Sequence, residues 1–355
     1  MRIVQFEVPG AGRRVGIVDT QGEQVSDLTA RAPGLRRVHD VFLAARQRNV
    51  TFQEFLADLC SESGLPGFAY ADLLAAKPLE DRPHLCPPLD HADPHRVILS
   101  GTGLTHTGSM KSRDEMHSAE PQHDSQQTDS EPKTDSARMF DLGLENGKPA
   151  DGERGAAPEW FFKGNGYGLR GHAEPLDLPT FALDGGEEPE IVGCYVIDEN
   201  GVPRRLGFAL GNEWSDHETE RINYLYLAPS KLRTCAVGPE LHTDVPFKSI
   251  PVECRVTRDG TEIYHSGPLH SGEDFMCHSL ANCEDHHFKY PLHRQPGDVH
   301  LHFFGTSRLS YTSRDWKFQD GDRIQVESRT FGAPLVNTVR QVAAELGEPV
   351  RVEPA

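Results

Sequence analysis

The sequence predicts an α+β protein dominated by strands, with a small N-terminal unit ahead of a larger β-rich domain. From Trp160 onward the chain is a succession of short β-branched and aromatic runs separated by turn residues. Apolar residues at helical spacing are confined to a few stretches, two of them close to the N-terminus. Strands and helices do not alternate in the βαβ manner, which argues against a doubly wound nucleotide-binding domain.

The elements follow in order. "MRIVQF" and "RRVGIVDTQGEQVSDL" read as strands around a Thr20-Gln21-Gly22 turn. "RVHDVFLAARQRN" has helical periodicity, and "TFQEFLADLCSES" opens a second helix with Thr51 at the N-cap and Glu54 at the capping-box position. These elements make residues 1–90 a small α+β domain. Ala76 to His95, rich in Pro, Asp and His, reads as a linker. "RVILSGTGL" is a buried strand that opens the second domain, residues 96–340. Residues 111–137 are polar and of low complexity, a solvated insert. Its first third, Ser112 to His117, reads as a helical lid carrying Arg113, Asp114 and His117 toward a pocket. The strands "EWFFKGNG", "FKSIPVECRVTRDGTEIYHSG", "DVHLHFFGTS" and "DRIQVESRTFG" come next. Helices are expected around Tyr224 to Leu227, over Asp274 to Cys283, and in "NTVRQVAAELGE", which runs into the C-terminal tail at 341–355.

Composition narrows the function. At 355 residues the chain can bury a sizeable core. It has no run of 18 apolar residues, and "MRIVQFEVPG" is too polar for a signal peptide. Seven cysteines without C-x-x-C spacing point to a reducing compartment, so a soluble cytoplasmic protein is expected. A formal charge of −18 disfavours nucleic acid and anionic membranes as partners. It also means that an anionic substrate needs a local cation.

The stretch "EEPEIVGCYVIDENGVPRRLGFALGNEWSDHE" supplies a place for one. Glu188 and Glu190, two apart on a strand, project from the same face. Asn200-Gly201 is a strong signal for a two-residue hairpin turn. A turn centred there sets Glu188 opposite Glu213 and Glu190 opposite Gly211, so three carboxylates converge beside a glycine. Carboxylates at strand ends are commonly just solvated. Three brought together call instead for a proton or a cation, and oxygen-only ligation suits Mg²⁺, Mn²⁺ or Ca²⁺.

Three further pieces accompany the carboxylates: Lys163 in "WFFKGNG", Lys231 in "YLAPSKLRTCAVGPEL", and Gly305-Thr306 at the end of "PGDVHLHFFGTS", a backbone and hydroxyl pair suited to a carboxylate. In this order, from about Arg96 to Val339, the segments resemble the C-terminal domain of the fumarylacetoacetate hydrolase (FAH) superfamily. The E-x-E pair matches Glu188 and Glu190, and "GFALGNE" matches "GYT-x-x-ND" with Glu213 in place of the usual Asp. The family lysines match Lys163 and Lys231. "FQDGDRIQVESRTFGAPLVNTV" is similar to the closing segment of the domain. The resemblance implies an FAH-like mixed β-sheet roll, a divalent metal held by Glu188, Glu190 and Glu213, and a homodimer.

One departure bears on the reaction. The hydrolases carry "G-x-N-Y-x-x-H-x-x-E", whose His and Glu activate water. Here the stretch reads "GTGLTHTGSMKSRDEMH", with His106 where Tyr belongs and Ser109 where His belongs. This points to the branch that resembles 2-keto-3-deoxy sugar-acid dehydratases. In that reading a pentonate-like acid, such as 2-keto-3-deoxyarabonate, chelates the metal. Lys231 stabilises an enolate or moves the C3 proton, and Asp114 or His117 protonates the leaving hydroxyl. Lys163, Arg113, His106, Gly305 and Thr306 bind the substrate. Hydrolysis of an acylpyruvate or 2,4-diketo acid is the alternative, and a non-catalytic sugar-acid sensor a second. Cys277, His278, Cys283, His286, His287, His300 and His302 invite zinc, but their spacing matches no tetrahedral signature.

Overall fold

A computed structural model describes residues 1–61, 64–108, 134–342 and 349–355. Its first strand, β1 (Arg2–Val8), pairs with β2 (Gly12–Val18), which continues into β3 (Gln24–Asp27) and β4 (Gly67–Ala69). β5 (His84–Cys86) joins the other edge of β1. The stretch expected to be a linker is therefore partly a strand, held because Gln5 bonds Pro87 O and Asp90 from within the sheet.

The same sheet runs on into the larger part of the chain. Arg2 of β1 pairs with His242 of a distant strand, and the order continues through the central hairpin to β6 (Val97–Gly103) and the edge strand β7 (Glu159–Asn165). The strands between are β10 (Pro189–Ile197), β11 (Pro203–Asn212), β12 (Cys235–His242) and β16 (Val299–Phe303). The short β8 (Leu169–Arg170) lies beside β12. A second sheet contains β9 (Pro175–Leu178), β13 (Ile250–Arg258), β14 (Thr261–His265), β15 (Leu269–Ser271), β17 (Arg323–Glu327) and β18 (Leu335–Gln341). The result is the mixed-sheet α+β architecture the sequence implies.

β10 is buried on both faces, which is why its sequence reads as an unbroken apolar run. Val192, Cys194 and Val196 face helices Val38–Gln47 and Phe52–Cys60, packing with Val41, Phe42 and Phe55. Ile191, Tyr195 and Ile197 face the second sheet and pack with Val252, Ile324 and Val326. Glu190 and Glu188 continue the first of these rows past its apolar end, as the period of two requires.

The hairpin meets the expected pairing at its acidic end by an indirect route. Pro189 faces Asn212 and Glu190 faces Gly211, and Glu213 N donates to Glu188 O at 3.0 Å. Near the turn, however, Tyr195 faces Arg205 and Ile197 faces Pro203. The connection is longer than a two-residue turn, because Asp198 Oδ1 accepts from both Asn200 N and Val202 N. A bulge at Gly207 restores the register. Its φ is 156°, and a Cβ there would lie 2.1 Å from His242 O.

Two helix expectations need correction, and one helix was not foreseen. Asn337–Gln341 is not helical but belongs to β18, whose burial alternates as it pairs with β17 and β9. The helix placed over Asp274 to Cys283 instead runs Leu280–Phe288, because Ser279 caps it by accepting from Asn282 N. A helix the sequence did not signal spans Asp135–Asn146, starting at the very end of the polar insert, capped by Thr134, with Gly143 pressed against His278 and Cys277. The Thr51–Glu54 capping box forms as expected. Among the described residues no helix is long and apolar enough to cross a membrane.

Candidate functional site

At the end of β10 and β11, Glu188, Glu190 and Glu213 each offer an oxygen within 4.8 Å of the others. All three side chains are buried. Glu190 faces Gly211, and a Cβ there would lie 2.4 Å from Val192 and 2.7 Å from the Phe303 ring, so the glycine keeps the strands close. Glu190 Oε2 accepts from Gly305 N at 2.7 Å, whereas Oε1 is buried and has no hydrogen-bond partner. An orphaned carboxyl oxygen in a group of three acidic side chains fits a divalent cation.

Two lysines complete the group. Lys231 Nζ lies 2.5 Å from Glu188 Oε1 and 3.3 Å from Glu213 Oε1, and sits 4.8 Å from the centre of the Phe161 ring. Lys163 Nζ is 3.4 Å from Glu213 Oε1 and donates to Lys231 O at 2.9 Å and to Trp214 O. Lys163 and Phe161 share a face of β7 with Glu159, since alternate residues of that strand are buried.

The electrostatics follow from burial. Burial, with Glu213 and Glu188 beside it, pushes the Glu190 carboxyl well above the usual range, and burial and Glu188 raise Glu213. Burial also works against ionisation of Glu188, but Lys231 and His217 overcome it and hold that carboxyl low. Glu188 and Glu213 hold the Lys231 ammonium above its ordinary value against burial, while burial brings Lys163 down. A divalent cation would relieve this repulsion.

The other residues singled out from sequence fall in three places. Gly305, at φ 85°, links Glu190 to a second layer, because a Cβ there would lie 2.6 Å from Thr105 Oγ1. Thr306 is buried, and its hydroxyl donates to Arg308 O at 3.1 Å. His106 is buried behind them with Nδ1 2.9 Å from Thr105 Oγ1, its ring pushed down to about 4 by burial. It lines a cavity of about 440 Å³ with Met276, Phe275, Ser307 and Arg308. Arg113, Asp114 and His117, with the rest of the Ser112 to His117 lid, lie outside the described residues.

Sequence reasoning passed over three residues here. Glu159 is buried on the Lys163 face and accepts from Tyr224 Oη at 3.0 Å, and its alternation with Phe161 and Lys163 was the available signal. Glu187 clamps the loop after Gly305, accepting from Ser310 N and Ser310 Oγ at 2.6 Å each. His217 Nε2 lies 3.0 Å from Glu188 Oε1. The histidines that invited zinc are engaged otherwise. Trp160 Nε1 donates to His287 Nδ1 at 3.1 Å, and His287 Nε2 then donates to His300 Nδ1 at 2.9 Å.

The fold is one shared with solved dehydratases and isomerases, as the resemblance to the fumarylacetoacetate hydrolase superfamily led us to expect. No protein-family model matches the chain, and no curated protein matches it by sequence. Among solved structures it is similar to 2-keto-3-deoxyarabinonate dehydratase, at 18% identity and TM-score 0.65 over 96% of this chain and 99% of that one. The D-arabinonate enzyme complexed with magnesium and 2,5-dioxopentanoate aligns at 17% identity and TM-score 0.66 over 96% and 99%. A 5-carboxymethyl-2-hydroxymuconate delta-isomerase from Mycobacterium smegmatis aligns at 15% and TM-score 0.53 over 97% and 100%.

Proposed function

We propose that the protein is a Mg²⁺-dependent dehydratase of a 2-keto-3-deoxy sugar acid of pentonate size. The observation that carries this reading is the orphaned Glu190 Oε1 in a buried group of three carboxylates and two lysines. Similarity to a dehydratase fold solved with magnesium and a 2-keto acid product supports it. Glu188, Glu190 and Glu213 would hold the metal. When bound, it supplies Lewis-acid polarisation of a 2-keto carbonyl.

The chain's own residues do the rest. Gly305 N holds Glu190 Oε2 in place, and Thr306, once its hydroxyl turns from Arg308 O, orients the substrate carboxylate beside it. Lys231, an ammonium fixed by Glu188 and Glu213, stabilises the enolate. Lys163, which burial brings down, takes the proton from C3, and the C4 hydroxyl departs as water with a proton from an acid. Glu159 is a carboxyl on the Lys163 face able to serve as that acid, alongside the Asp114 and His117 expected from sequence. The bonds broken are C3–H and C4–O, a C3=C4 double bond forms, and proton shifts then carry the oxidation level to C5 as an aldehyde. Residues 1–90 support the catalytic part at 96–340. We place the enzyme in the cytoplasm as a homodimer.

The test is parallel turnover of a 2-keto-3-deoxypentonate and an acylpyruvate with Mg²⁺. Formation of a 2,5-dioxo acid at the higher kcat/KM is expected. Faster release of pyruvate from the acylpyruvate overturns the dehydratase assignment in favour of C–C hydrolysis, and turnover of neither would indicate a binding protein.

A further inference from the structure

His217 opens the helix His217–Ile222 directly after the hairpin. A carboxylate oxygen only accepts, so the nitrogen facing Glu188 Oε1, Nε2, carries the hydrogen. Lys231 Nζ donates to the same oxygen. Two donors on Oε1 fix the roll of the Glu188 carboxylate and leave Oε2 as the oxygen that neither engages.

The ring is itself held on every side. Its Nδ1 is buried without a partner and lies against Gly186, where a Cβ would stand 2.1 Å away. Gly186 is fixed in turn, because Ser215 N donates to its carbonyl at 2.9 Å. The Tyr311 ring covers the imidazole at 5.3 Å. Asp216, the helix cap, is tied to Thr219 N, Leu183 N and Arg233. A buried imidazole with one polar bond and a glycine cut to its shape serves that bond.

We propose that His217 is a positioning residue for the metal centre: by holding Glu188 through Nε2 it sets the affinity of the three-carboxylate site for Mg²⁺ and Mn²⁺. The proposal rests on reading that site as a metal centre. Outer partners of metal ligands commonly contribute 10–100-fold in affinity, roughly.

Side-chain shape makes the test specific. Glutamine can bring its amide N–H to the position of Nε2, whereas asparagine reaches only that of Nδ1 and leucine has no donor. The experiment measures Mn²⁺ affinity of the full chain by electron paramagnetic resonance of free Mn²⁺ for H217Q, H217N and H217L, with metal-free Tm for each. H217Q should bind within about threefold of the unaltered protein, and H217N and H217L about 10–100-fold more weakly at similar metal-free Tm. Wild-type affinity in H217L overturns the proposal, as does equal loss in all three variants, which marks a merely structural residue. E190Q separates the two readings. It should lose Mn²⁺ binding, and if it does not, the metal centre is wrong whatever His217 does.

Discussion

Lys231 Nζ lies between Glu188 Oε1 and Glu213 Oε1, at 2.5 Å and 3.3 Å, with all three side chains buried. Removing one partner of a buried charge group leaves the others uncompensated, at a cost of about 3–5 kcal/mol. Lys231→Met should therefore lower the metal-free Tm, and added Mn²⁺ should restore more of it than it adds to the unaltered protein. Turnover should fall by about 10²–10³ whatever the metal concentration, because the charge that stabilises the enolate is gone. A variant of unchanged Tm and activity would show that Lys231 is neither counter-ion nor enolate stabiliser.

Glu190 gives the opposite stability result. Its charge is unfavourable in the metal-free site, since burial and two neighbouring carboxylates oppose it. Glu190→Gln should leave the metal-free protein at least as stable, yet abolish both turnover and the thermal shift on adding Mn²⁺. Differential scanning calorimetry with and without metal checks both halves.

How far the site was legible depended on whether local spacing or tertiary approach created each contact. Glu188, Glu190 and Glu213 could be paired on paper because a strand has a period of two and Asn200-Gly201 marks a reversal. The pairing held at the acidic end because the longer Asp198–Val202 connection and the Gly207 bulge cancel. His217 had no such signal, because its partner Glu188 and its seat on Gly186 meet it only in three dimensions. The overall α+β class was readable from strand-dense sequence. The pairing of β1 with β12 was not, since Arg2 and His242 are far apart in the chain. The segment "NTVRQ" opens a stretch that suggests a helix, whereas its burial in β18 follows a period of two.

Self-association should involve the outer face of β7. This strand ends the large sheet, and Trp160 and Phe162 stand 37% and 45% exposed on the side opposite Glu159, Phe161 and Lys163. Among the described residues no strand pairs with its other edge, and open edges with aromatic faces favour pairing. Sedimentation at micromolar concentration should show a dimer or larger assembly. Phe162→Lys should shift it toward the 39.4 kDa monomer without unfolding it. A monomer in the unaltered protein would remove this expectation.

Acid sensitivity should come from histidines that the fold keeps neutral. His300 and His302 are fully buried, and burial first, with His293 nearby, lowers each ring to about 3 from an ordinary 6.5. Below pH 6.5 the unfolded chain takes up protons on these rings that the folded chain refuses, so stability falls as pH drops from about 6.5 toward about 3. Each such ring contributes a slope of up to about 1.4 kcal/mol per pH unit within that window, and none above it. His302→Asn isolates one ring, because an asparagine amide can take the place of the Nδ1 that meets Ser100 Oγ at 2.9 Å. Urea unfolding from pH 7.5 down to about 5 should show a steepening loss of stability in the unaltered protein and a shallower one, by about one proton, in the variant. Identical slopes would mean that His302 titrates alike in the folded and unfolded chains, and that its burial imposes no constraint on the proton.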